Sequence, residues 1–113
     1  EIVQSERTAK GGAYAIWVRD RVEADEELRN FSADSLKKQE IIGITFEERL
    51  LYEHKYFKET GQHLDVQNIT LCSGSRVSGG GVPEVGRYDG ELVVVWCGSG
   101  IAFGSLRSRQ AVS

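Results

Sequence analysis

The residues best suited to chemistry in this 113-residue chain lie in its second half, where Ser73-Gly74-Ser75-Arg76 leads into Gly79-Gly80-Gly81. Glycines let backbone N–H groups converge on an anion, and serine hydroxyls add donors. An arginine fork matches a carboxylate or phosphate through two hydrogen bonds at once. Arg107 and Arg109 stand two apart, which puts both on one side of an extended segment. If the last strand runs beside the strand entering the loop, Ser73, Gly74, Ser75, Arg76, Arg107 and Arg109 form one pocket for a small anionic ligand. The Gly-x-x-x-x-Gly-Lys-Ser/Thr spacing of a phosphate loop is missing and no helix follows. A plain connecting loop and a solvated C-terminus therefore stand beside the ligand reading.

Other constellations are weaker. Cys72 and Cys97 lack Cys-x-x-Cys spacing, and His54 and His63 share no ligand spacing with them, so no metal or cofactor is expected. The thiols are expected to be reduced. A Cys97–His63–Asp65 arrangement would activate a thiolate, but residues two apart point away from each other in an extended chain, so Asp65 does not orient His63. The adjacent pairs Glu26/Glu27 and Glu47/Glu48 diverge on a helix and give no paired-carboxylate site. No residue is therefore assigned a catalytic role.

These residues are carried by a chain that changes character near residue 65. Residues 1–65 hold every lysine, with ten basic and fourteen acidic side chains; residues 66–113 hold four arginines, three acids and nine of the thirteen glycines. The first part reads as helical and the second as strands and turns. A net charge of −3 and a pI near 5.4 argue against a dedicated nucleic-acid binder. No apolar run approaches the roughly 18–20 residues of a membrane span. The polar start has no export signal, so the expected setting is the cytoplasm of a bacterial-type cell. From the lack of methionine the chain is expected not to be the complete gene product.

Residues 13–19 alternate aromatic and β-branched side chains after a double glycine and suit a strand. Residues 23–31 read as a short helix with acids at its start. Ser32 caps a second helix over residues 33–42, with Gly43 as its stop. Thr45 and Glu48 form a capping box for the third helix, which carries a stripe of Phe46, Leu50, His54 and Phe57 and ends at Gly61. From residue 68 the period becomes two. Residues 68–73, 85–88, 91–97 and 101–107 are the expected strands; residues 73–83 are a loop, and Asp89-Gly90 is a hairpin turn. Residues 92–96 are apolar on both faces, which predicts a central strand covered by the third helix.

The fold expected is a single α+β domain over residues 1–113, with N-terminal helices packed on one face of a mostly antiparallel sheet formed largely by the C-terminal half. Leu51, Tyr52 and Tyr56 extend the third helix's apolar surface beyond one face, as in a helix shared between subunits. The leading functional expectation is a soluble binding or protein-interaction domain acting as a homodimer without catalysis. The alternative is a receptor or enzyme using the loop with Arg76.

Overall fold

Thr45 and Glu48 start the longest helix as expected. The Thr45 hydroxyl accepts from the Glu48 N–H at 3.1 Å, and the Glu48 carboxylate accepts from the Thr45 N–H at 2.9 Å, closing two orphan donors reciprocally. The computed structural model, which describes residues 1–112, is an α+β arrangement. In chain order its elements are β1 (Ile2–Ser5), α1 (Ala33–Lys38), α2 (Phe46–Thr60), β2 (Ile69–Leu71), β3 (Ser75–Val77), β4 (Val82–Tyr88), β5 (Glu91–Cys97) and β6 (Leu106–Ser108). Gly61 ends α2 with a φ of 73°. Ser32 caps α1, its hydroxyl accepting from the Ser35 N–H at 3.0 Å.

The N-terminal half is less helical than its composition suggests. α1 stops at Lys38 rather than at residue 42. Glu40 turns left-handed, with a φ of 59°, and the N–H groups of Glu40 and Ile41 return to the carbonyls of Lys37 and Leu36. That is the six-to-one closure which normally recruits glycine. Gly43 is needed for another reason: a Cβ there would lie 1.7 Å from Ser73 Oγ. Residues 23–31 form only a 3-10 turn at Glu26–Leu28. The strand expected over residues 13–19 reduces to one antiparallel bridge between Trp17 and Val112. Strands are also not confined to the C-terminal half, since β1 pairs with β3 in a two-stranded sheet. β3 lies within the stretch expected to be loop.

The main sheet has the order β5-β4-β2-β6, with β6 parallel to β2 and the other pairs antiparallel. Asp89 and Gly90, with φ of 54° and 80°, make the predicted hairpin turn between β4 and β5. The expectation of β5 as a central, covered strand is overturned. After Cys97 the chain crosses to pair with β2 instead of β5, so β4 and β2 are central and β5 is an edge.

Pairing register assigns the two faces of this sheet. Leu71, Leu106 and Val82 point to the α1 side, where they pack with Leu28, Ala33 and Leu36 in the apolar core. Thr70, Val85 and Arg87 point to the other side, where α2 lies. The apolar stripe predicted for α2 is not its buried face. Phe57 and His54 are exposed, whereas Glu48, Arg49 and Glu53 are buried. α2 therefore docks through charges and does not cover β5.

Candidate functional site

Each residue proposed for the anion pocket has found an intramolecular use. Ser73 Oγ lies 2.8 Å from Ser108 Oγ, which follows from the parallel pairing of β2 with β6. Gly74 passes so close to the preceding segment that a Cβ would lie 2.6 Å from the Gly43 carbonyl. Ser75 Oγ is 2.7 Å from Ser5 Oγ and accepts from the Phe46 N–H at 2.9 Å, so it satisfies an orphan donor of α2. Arg76 folds back, donating to the carbonyls of Ser73 and Ser75 at 2.8 Å. Arg107 reaches the Ala24 carbonyl at 3.4 Å. Arg109 is buried. The adjacency of the last strand to the loop strand is present, yet the three guanidiniums have separate partners.

Arg109 belongs to an ionic cluster between α2 and the sheet. Its Nη2 donates to Asp65 at 2.9 Å and to the Val22 carbonyl at 2.8 Å, its Nη1 to the Arg21 carbonyl at 2.9 Å, and its Nε to Thr70 at 3.1 Å. Arg49, fully buried, donates to the other Asp65 oxygen at 3.0 Å and to Glu53 at 3.1 Å. Asp65 also accepts from the Ala24 N–H at 2.8 Å and from the Thr70 hydroxyl. Glu53 extends the cluster to His63 at 2.9 Å and Arg87 at 3.2 Å. Burial works to raise the Glu53 carboxyl, but His63, Arg49 and Arg87 outweigh it and hold it below the ordinary 4.5. Around Asp65 every carboxylate oxygen and both guanidiniums are engaged, while Arg87 at the margin keeps a buried Nε without a partner; the cluster joins residues 21–24, α2, β2 and the C-terminal segment.

The thiol constellation is not assembled. His63 is engaged by Glu53, and Asp65 by two arginines. Both cysteines are free. Burial pushes Cys72 up to about 12, and partial burial with a hydrogen bond to Glu84 pushes Cys97 up to about 12, so neither is a ready thiolate. Among the described residues there is no cluster of three potential metal ligands. No helix there is long and apolar enough to cross a membrane.

Exposed apolar side chains occur at several places, among them a groove beside α2 and the edge strand β5. A groove of about 840 Å³ runs between residues 7–20 and α2, lined by Tyr14, Trp17, Leu51, Tyr52 and Tyr56 among others. At its end Glu48 accepts the Arg7 fork at 2.7–2.8 Å and the Tyr14 hydroxyl at 2.9 Å. Burial works to raise the Glu48 carboxyl, but Arg7, the Thr45 N–H and Tyr14 bring it below 4.5.

The second region is β5. Leu92, Val93, Val94, Val95 and Trp96 are 37–67% exposed, on both faces of an edge strand. The two-residue turn makes Tyr88 and Glu91 a hydrogen-bonded pair, so alternate residues from Glu91 turn their backbone groups toward β4. Leu92, Val94 and Trp96 therefore turn theirs to the open edge. Pro83, which has no N–H, sits opposite Trp96, where none is needed. Sequence reasoning marked this segment as the most apolar of the chain but gave it a covered place. Hydropathy carries no record of which strand ends a sheet. No protein-family model, curated protein or solved structure matches this chain.

Proposed function

We propose that this protein is an interaction domain that self-associates through β5, two copies joining their main sheets edge to edge. One observation carries the reading: an open edge of five consecutive apolar residues with no charge between Glu91 and Cys97. Edge strands normally carry charges, proline or bulges that block such pairing.

A second copy fits the edge because the segment is apolar for two residues on either side of Val94. In an antiparallel pair centred there, Leu92 meets Trp96, Val93 meets Val95, and Val94 meets itself. Leu92, Val94 and Trp96 are the residues with free backbone groups, so every pair they form in this register is hydrogen-bonded. A one-residue slip of one strand would set outward groups against inward ones. Glu91 falls opposite Cys97, so no like charges meet.

The five residues, 37–67% exposed and only one of them aromatic, expose on the order of a few hundred Å² per copy, since even an aromatic side chain covers only about 150–250 Å². A standard interface buries about 800 Å² per partner, so this pair belongs at the small, reversible end of the range. Sedimentation velocity across micromolar concentrations should show a monomer–dimer equilibrium. Val94→Lys and Val94→Pro should remain folded by circular dichroism and monomeric throughout. A wild-type chain that stays strictly monomeric, or a Val94→Lys chain that dimerises equally well, sinks the reading.

A further inference from the structure

Arg29 and Arg107 face each other across an antiparallel bridge. The Asn30 N–H donates to the Leu106 carbonyl at 3.1 Å beside them, which makes the two arginines a non-hydrogen-bonded pair. That arrangement brings Cα atoms to about 4.5 Å and side chains closest together. Like charges placed so repel. Among the described residues neither arginine forms a salt bridge. Arg107 has only the long contact to the Ala24 carbonyl, and its Nε is buried without a partner.

The pair lines a hollow of about 590 Å³ together with Arg21, Glu23, Ala24, Glu26 and Glu27. Two of the three acids there are already engaged. Glu23 accepts from the N–H groups of Val66, Gln67 and Asn68 and from the Asn68 side chain at 2.8–3.2 Å. Glu27 takes the Arg21 fork. Glu26 is exposed, and its carboxylate forms no hydrogen bond or ion pair among the described residues. The lining is formally neutral, three arginines against three glutamates, but Arg29 and Arg107 stand side by side without an ion pair, and the exposed Glu26 carboxylate is the one unengaged counter-charge beside them.

We propose that the hollow binds a phosphoryl oxyanion, free phosphate or a small phosphomonoester, shared between the guanidiniums of Arg29 and Arg107. A dianion offsets both charges and offers acceptors to two forks, whereas a carboxylate carries one charge and two oxygens. The site is separate from β5, so its test is independent of dimerisation.

Calorimetric titration of the full chain at constant ionic strength, with inorganic phosphate, a simple alkyl phosphate, acetate and chloride, tests it. Saturable phosphate binding is expected, with acetate weaker by about tenfold or more. The tighter of the two phosphates identifies the source. Arg29→Gln, an exposed substitution, should weaken binding by about tenfold while raising the melting temperature of the ligand-free chain slightly, because it also removes the repulsion from Arg107. Arg107→Lys should weaken it comparably, since a point charge does not replace the fork. Glu26→Gln should tighten it by removing the unpaired negative charge. Phosphate that behaves like chloride at equal ionic strength, acetate that binds as well as phosphate, or Arg29→Gln that binds like wild type would each overturn the proposal.

Discussion

The contact of α2 with the sheet and the open edge of β5 invert the usual distribution of side chains. Between α2 and the sheet the chain buries Arg49, Arg109 and Asp65; along β5 it leaves five consecutive apolar residues exposed. The difference shows that polarity does not assign a residue's place by itself. A charge can be buried when every donor and acceptor is matched. An apolar strand stays exposed when the chain offers it no second neighbour. The α1 side of the same sheet, with Leu36, Leu71 and Leu106, follows the ordinary rule.

The most severe way to disturb this contrast is to remove the centre of the ionic cluster. Asp65→Ala leaves two buried guanidiniums without their shared carboxylate and should cost about 3–5 kcal/mol in urea unfolding. Replacing Arg49, Asp65 and Arg109 together with apolar residues should not restore stability. The Arg21 and Val22 carbonyls and the Ala24 N–H would lose their partners, at about 1–3 kcal/mol each where they remain buried. A triple variant as stable as wild type would show that the cluster is only an ion pair and not also a backbone clamp.

On the apolar side, Leu36→Ala should cost about 2–5 kcal/mol by opening a cavity. A loss there clearly greater than that of Asp65→Ala would reverse the proposed ranking of the two faces.

Acid should act on the ionic side. Glu48, Glu53 and Glu23 each sit below the ordinary 4.5: burial works to raise them, and their arginine, tyrosine, histidine, asparagine and backbone donors more than offset it. Their folded values are depressed, so their contribution is full above about pH 4.5 and is lost as pH falls through the folded values. Unfolding free energies measured between pH 7 and 3 should decline mainly below that point, and Glu48→Gln should flatten the decline. An unchanged slope in Glu48→Gln would remove that carboxylate from the account.

The smallest effect belongs to the open edge. Val94→Lys should change the stability of the monomer by no more than about 0.5 kcal/mol, because the side chain has little to lose within one copy. A large loss would mean that β5 is packed rather than exposed, and would erase the comparison.

The amino-acid sequence by itself determined the features closed by near neighbours. The capping box of Thr45 and Glu48, the Ser32 cap, the left-handed Gly61 and the Asp89-Gly90 turn each need only a few adjacent residues, so their chemistry is local and readable. Tertiary structure decided what depends on distant partners. It made β5 an edge, because the strand after it went to β2; it placed Ser75 beneath α2 and turned Arg49 and Glu53 inward, because Asp65, Thr70 and Arg87 waited there. It also set Arg29 against Arg107 across one bridge, a juxtaposition of residues too far apart in sequence for any local pattern to announce.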